Sequence, residues 1–291
     1  MADTLKTTRP EIPHVNSYPT LFDYGCVSSP HRILRGPLME AVIVTYNSER
    51  DLSSLVASTD LLRTFSRVLV VDNASTDNSL AVARTAGFDT AARSVNDGFG
   101  AAANAGINAT SGDFVALLNP DIHIIDDATV PLMEAQFRDA AVAVTAPALE
   151  LPNGQVQDSA REVPLPTDLI RRRVVNGLHG ALVSPEPVNV PWVVGAFMVI
   201  RREAFDAVGG FDPRYHVYFE DVDLCVRLQN AGWRVRFVPT TRARHRHNAA
   251  SRKSLLGWST RQHIRSAGLF YRQHPRHIMR RDVASRPRMI A

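Results

Sequence analysis

The chain has 291 residues, 45% of them hydrophobic, with 18 prolines, two cysteines and a formal net charge of +4. This length and apolar content fit one sizeable α/β domain and exclude a disordered or fibrous protein. The longest apolar run, 190–200, is cut by Pro191, Trp192 and Gly195, so no membrane-spanning helix is expected.

Residues 1–38 carry Pro10, Pro13, Pro19, Pro30 and Pro37 without apolar periodicity or a signal-peptide core, and read as a poorly ordered leader. Cys26 lies in this leader and Cys225 in a predicted helix, which suggests neither a disulfide framework nor a metal cluster and fits a cytoplasmic setting. From residue 40, short β-rich runs alternate with helical stretches, the pattern of βαβ units on a mainly parallel sheet. Strands are expected at 41–46, 67–71, 90–93, 114–118 and 142–145, and helices at 49–62, 77–86, 100–109 and 127–138. Tyr46-Asn47, Asp72-Asn73 and Asn119-Pro120-Asp121 directly follow strands, facing the crevice where doubly wound folds bind nucleotides.

Residues 147–191 are rich in proline and polar side chains, include Arg171-Arg172-Arg173, and read as a substrate-side insertion. A strand at 192–200 and a helix at 202–208 follow, the latter closed by Gly209-Gly210. A second helix runs from 219 to about 231, where Gly232 ends it, and a strand occupies 234–238. Residues 241–291 hold 13 of the 33 lysines and arginines and a single acid, Asp282. Within them Leu255, Trp258, Ile264, Ala267 and Phe270 or Tyr271 recur at loosely helical spacing among Arg261, Arg265 and Arg272. Such a basic amphipathic helix either lies on an anionic membrane surface or packs against the domain.

A diphosphate leaving group needs its charge neutralised, and Asp121, projecting into the crevice, is placed to hold a divalent cation for that purpose. Turn chemistry alone accounts for Asn119-Pro120-Asp121 equally well, and helix capping for Asp72 and its neighbours. Glu220, Asp221 and Asp223 supply three candidate bases for an acceptor hydroxyl, although acids are also favoured in a helix's first turn. One base with a metal site points to transfer, whereas hydrolysis of a glycoside employs two flanking carboxylates. His245 and His247 could complete a metal site or contact phosphate. Gly98-Phe99-Gly100 opens a match to the dinucleotide fingerprint, but it follows the third strand rather than the first and reads better as close packing or backbone approach to a ligand.

Together the segments Val-Ile-Val-Thr-Tyr-Asn (42–47), Val-Val-Asp-Asn-Ala-Ser-Thr-Asp (70–77), 96–106, Leu-Asn-Pro-Asp (118–121), Gly195-Ala196, 209–212 and 218–228 resemble glycosyltransferase family 2 over about residues 40–250. The likeness is strongest to its bacterial rhamnosyltransferase-like branch. The resemblance implies a GT-A fold spanning 39–250: a Rossmann-like nucleotide-binding half with a mainly parallel mixed sheet, and an acceptor-side half, followed by a basic helical extension at 251–291. It places Thr45, Tyr46, Asn47, Asp72, Asn96, Gly98, Asn104 and Asn119 around the nucleotide, with Asp121 holding Mg²⁺ or Mn²⁺. Asp221 becomes the general base of an inverting reaction, with Trp192, Gly195, Ala196, Glu220 and Asp223 on the acceptor side. Asn119 replaces the first carboxylate of the family's Asp-x-Asp pattern, and the late metal-binding histidine maps to His245 or His247 depending on the anchor of the alignment.

The donor expected from this branch is dTDP-L-rhamnose, with UDP-sugars as alternatives, and the acceptor a glycan or a polyprenyl-diphosphate-linked glycan in cell-envelope polysaccharide synthesis. The expected location is cytoplasmic, peripheral at the inner face of the plasma membrane, with no nucleic-acid partner. A nicotinamide-dependent oxidoreductase using the Gly98 region, and a non-catalytic GT-A-like module binding glycan or nucleic acid, are the competing readings.

Overall fold

A computed structural model describes residues 39–58, 61–169, 182, 184–246 and 257–278. The leader 1–38 and His247 lie outside the described residues. The first strands β1 (Glu40–Thr45), β2 (Arg67–Asp72), β3 (Asp89–Ala92) and β4 (Phe114–Leu118) are all parallel, in the spatial order β3-β2-β1-β4. Helices α1 (Glu49–Ser58), α2 (Leu61–Thr64), α3 (Ser79–Thr85) and α4 (Phe99–Asn108) connect them. Alternation decides which face each strand residue serves: Ala41 and Ile43 pack with Leu52, Leu55 and Ala83, whereas Val42 and Val44 pack with Ala102, Ala103 and Ile107 of α4. Gly106 lets α4 settle on the sheet, since a Cβ there would lie 2.4 Å from Val42 Cγ1 and 2.8 Å from Val71 Cγ2.

Beyond β4 the chain changes style. After β5 (Ile122–Ile124) and α5 (Thr129–Ala135) with its 3₁₀ turn Gln136–Arg138, β6 runs over Val142–Glu150, further than the four residues expected. The short β7 (Ala160–Arg161) pairs antiparallel with β9 (Trp192–Val193), and β8 (Val188–Asn189) pairs with β11 (Arg234–His245). The strand expected at 192–200 is two strands, because the chain turns at Gly195-Ala196 before β10 (Phe197–Arg201). β10 then lies antiparallel between β4 and β6, and β11 is parallel to β6 and antiparallel to β5, giving the order β4-β10-β6-β11-β5. β11 continues past Pro239, where a strand end was expected, through an irregularity between Val238 and Arg242. A bulge tolerates the proline that a regular ladder rejects.

Helices α6 (Arg202–Ala207), α7 (Glu220–Asn230) and α8 (Trp258–Gln273) cover the second half. Phe270 and Ala267 of α8 are buried in the same apolar cluster as Phe219, Val222 and Phe205, so this helix is part of the domain's core. No helix among the described residues is long and apolar enough to cross a membrane.

Candidate active site

The carboxyl ends of β1 and β2 form one wall of the site. Thr45 and Asp72 are in register, and Thr45 Oγ1, Asp72 Oδ1 and Asn73 Oδ1 are buried without a hydrogen-bond partner, the state in which a polar atom is costly unless a ligand supplies one. Tyr46 is 50% exposed beside them, leaving its ring face open. Asn47, at φ 48°, binds the two loops together: its N–H donates to Ser75 Oγ at 2.9 Å and its Oδ1 accepts from Thr76 N at 2.8 Å. Asp77 joins the starts of α1 and α3 by accepting from Glu49 N and Ser79 N, each at 3.0 Å.

The next loop is braced in the same manner. Asn96 Oδ1 accepts from Asn73 Nδ2 at 2.8 Å and from Gly98 N at 3.0 Å. Gly98 sits at φ 99°, and a Cβ would fall 2.2 Å from the His216 carbonyl oxygen, so glycine is required where α4 meets the second half. The Asn104 amide donates to Phe211 O at 2.8 Å and accepts from Phe211 N at 2.9 Å, fastening the 209–212 loop to α4.

Asp121 and His245 meet because β5 pairs with β11, setting His245 opposite Ile122. His245 Nε2 lies 3.3 Å from Asp121 Oδ2, and its Nδ1 donates to Gln157 Oε1 at 2.7 Å. An amide oxygen can only accept, so Gln157 fixes the ring orientation and turns Nε2 towards Asp121. Arg246 N donates to Asp121 O at 3.0 Å, holding the loop from behind. Neighbouring ligands of an octahedral cation with bonds of about 2.1 Å stand about 3 Å apart, so a carboxylate oxygen and an imidazole nitrogen at this spacing fit one divalent ion. Among the described residues no group of three or more His, Cys, Asp or Glu side chains is arranged to hold a metal.

The Gly195-Ala196 turn joins this corner to the acidic one. Asn119 N donates to Ala196 O at 2.8 Å, and Gly195 N donates to Asp221 Oδ2 at 3.0 Å. Asp221 Oδ1 accepts from Val222 N at 2.8 Å, and each carboxylate oxygen keeps a further lone pair for an incoming hydroxyl. Asp221 is half-buried, while Glu220 is buried and its Oε2 has no partner. Burial pushes both carboxyls above their ordinary range, and the negative charge of Asp221 adds to the rise at Glu220. The turn that presents them contains two successive left-handed residues, Tyr218 at φ 69° and Phe219 at φ 68°. Such backbone at non-glycine residues costs about 1–3 kcal/mol each and gathers at functional sites.

Two acceptor-side candidates have other duties. Asp223 is turned away from the cleft, with Oδ2 on Arg227 Nε at 2.7 Å and Oδ1 2.8 Å from His274 Nε2. Trp192 is buried, its indole N–H donates to Glu162 O at 2.9 Å, and Arg161 covers its ring at 4.9 Å. Sequence reasoning missed Gln157, which sits in the proline-rich segment with no motif around it; of the two readings of the C-terminal helix, packing against the domain is seen for Ala267 and Phe270.

A parallel nucleotide-binding half, an Asp–His corner and a raised carboxylate across one short turn define a nucleotide-sugar transferase of the GT-A class. Residues 40–209 match the family described as Glycosyl transferase family 2, and residues 184–249 match the N-terminal domain of galactosyltransferase. The N-acetylglucosaminyl-diphospho-decaprenol L-rhamnosyltransferase of Mycobacterium tuberculosis is 34% identical over 248 residues, covering 74% of this chain and 77% of that protein. Rhamnosyltransferase WbbL of Escherichia coli is 30% identical over 159 residues, covering 53% of this chain and 60% of the relative. Among solved structures, GalNAc-T7 with UDP, GalNAc and Mn²⁺ aligns with a TM-score of 0.57 at 18% identity, covering 83% of this chain and 51% of that one. The glucosyl-3-phosphoglycerate synthase of M. tuberculosis aligns with a TM-score of 0.53 at 19% identity, covering 80% and 79%. The chain belongs to glycosyltransferase family 2, in its bacterial rhamnosyltransferase-like branch.

Proposed function

We propose that the enzyme transfers L-rhamnose, with inversion, from dTDP-L-rhamnose to a hydroxyl of a polyprenyl-diphosphate-linked glycan during cell-envelope polysaccharide synthesis. The observation that carries the site reading is the bridge at Gly195-Ala196, which is hydrogen-bonded to Asn119 on one side and to Asp221 on the other. The similarity to the mycobacterial decaprenol-linked rhamnosyltransferase supports the choice of sugar and of acceptor class.

In this reading Thr45, Tyr46 and Asp72 receive the nucleoside, and Asp121 and His245 are the residues that would hold Mg²⁺ or Mn²⁺. The cation supplies charge neutralisation for the departing nucleotide. Asp221, fixed by Gly195 N and Val222 N, accepts the proton of the acceptor hydroxyl as its oxygen attacks the anomeric carbon on the face opposite the nucleotide. The C1–oxygen bond to the nucleotide breaks, and dTDP leaves with the bonding electrons. Burial of Asp221 strengthens it as a base relative to an ordinary carboxylate.

The outer face of α8 gives a reason to expect a lipid surface nearby. Trp258 and Ile264 are 60% and 64% exposed, and Arg261, Arg265 and Arg272 are exposed along the same helix. Apolar side chains inserted among arginines suit an anionic membrane. Ala267 and Phe270, which a surface helix would also have offered to lipid, instead face the core.

The test is a panel of dTDP- and UDP-linked sugars with Mn²⁺ and a polyprenyl-diphosphate N-acetylglucosamine acceptor, with the product's anomeric configuration read by NMR. Rhamnosyl transfer with inversion is expected. Transfer from UDP-sugars alone, or a retained configuration, overturns the donor or the mechanism respectively. Loss of sedimentation with phosphatidylglycerol vesicles in an Arg261→Glu, Arg265→Glu variant tests the membrane contact.

A further inference from the structure

Tyr218 and Phe219 adopt the left-handed conformation with φ values of 69° and 68°, immediately before Glu220 and Asp221. Aromatic side chains do not favour this backbone locally, so the surroundings have to impose it. Those surroundings are α8. Tyr218 Oη lies 2.9 Å from Ser259 Oγ, and its ring centroid is 5.0 Å from that of His263. The Phe219 ring packs on His263 at 5.4 Å, Phe270 at 5.3 Å and Tyr271 at 6.2 Å.

The clamp extends to both sides of the turn. Ser266 Oγ donates to Val217 O at 2.8 Å, and Tyr215 Oη donates to Gln273 Oε1. Gln273 Nε2 donates to Asp212 Oδ2 at 2.9 Å. Beyond Asp221, the Asp223 carboxylate meets His274 Nε2 at 2.8 Å. Contacts from α8 and from His274, which follows it, thus reach residues 212, 215, 217, 218, 219 and 223 on either side of Asp221.

We propose that α8 is a positioning element for catalysis: it holds the 215–223 segment in its left-handed turn, with His263 as the central residue, and thereby fixes Asp221 against Gly195. This rests on Asp221 being the base, as proposed above. The contacts of α8 given above go to residues 212–223, apart from the proposed donor-side groups Thr45, Tyr46, Asp72, Asp121 and His245. Loosening the clamp therefore lowers kcat while leaving donor affinity intact.

The experiment compares wild type with His263→Ala, which removes the ring shared by Tyr218 and Phe219, and with His263→Phe, which retains a ring. Hydrogen exchange at the Val222 and Asp223 amides is measured alongside kcat, donor KM, Mn²⁺-dependent dTDP binding and melting temperature. In His263→Ala those two amides should exchange about tenfold faster or more, and kcat should fall about tenfold or more. KM, dTDP binding and exchange in β1, β2 and β4 should stay near wild type, and His263→Phe should recover most of both losses. Unchanged exchange at Val222 and Asp223 overturns the clamp, and faster exchange with wild-type kcat overturns its catalytic role. If His263→Ala does not fold, Tyr218→Phe, Ser259→Ala and their combination carry the same comparison. Each should give the same direction of change with non-additive losses, and additive losses would overturn the proposal. Absence of rhamnosyl transfer by the wild type counts against the donor assignment alone, and the exchange comparison then decides the clamp.

Discussion

The two halves of this molecule solve positioning in different ways. Up to β4 each site residue sits at the end of a parallel strand, and its loop is braced by the next loop along, as Asn47 by Ser75 and Thr76, and Asn73 by Asn96. After β4 two of the supports reach further: His245 depends on Gln157, 88 residues back, and the turn at 218–219 on α8, while Asp221 is held by Gly195, 26 residues back. The first half is a scaffold whose strand ends and loops hold the proposed nucleoside side of the donor pocket. The second places its reactive groups through long-range contacts, which makes it the half where distant substitutions should alter chemistry.

The largest separation of the halves is expected at the base. Asp221→Asn should lower transfer by about a hundredfold or more, since a positioned base contributes roughly 10²–10⁴. Near wild-type turnover in a single-turnover assay would remove Asp221 from that role. Next in size, Gln157→Leu should weaken Mn²⁺ affinity by about tenfold to a hundredfold, the usual loss when the orienting partner of a ligating histidine is removed. Saturating Mn²⁺ should restore most of the rate, and an unchanged Mn²⁺ titration would sink the orienting role.

A stability effect confined to the first half comes from Gly106→Ala, whose Cβ would lie 2.4 Å from Val42 Cγ1. Overpacking of this kind costs about 1–3 kcal/mol, seen as a lower midpoint in urea. The smallest effect is in the pH profile. Burial raises Asp221 to about 6, and the group accepts a proton only when ionised, so kcat should climb as pH rises through that value and fall below it. A rate independent of pH between 5 and 7 would contradict the assignment.

The legibility of the sequence follows the same divide. Strands β1, β2 and β4 and helix α4 fall within a residue or so of where apolar runs and turn residues put them, because a buried parallel strand reads as an uninterrupted apolar run bounded by turn residues. β6 and β11 run longer than the 142–145 and 234–238 expected, and the register shift of their parallel pairing between Val238 and Arg242, beside Pro147 and Pro239, is a tertiary property that spacing does not show. Of the acidic trio, spacing could not tell that Asp223 turns inward to Arg227 and His274 while Asp221 faces Gly195. For α8 the amphipathic pattern was visible, but Trp258 and Ile264, which are exposed, were grouped with Ala267 and Phe270, which are buried.

The division of labour itself is tested most directly by titration calorimetry of dTDP with Mn²⁺ on Asp221→Asn and Asp121→Ala, with dTMP as the control ligand. Asp221→Asn should bind dTDP as wild type does, while Asp121→Ala should lose most of its Mn²⁺-dependent dTDP affinity and keep its affinity for dTMP. Equal loss of dTDP binding in both variants, or none in Asp121→Ala, would contradict a donor corner and a base that are built separately and joined at Gly195-Ala196.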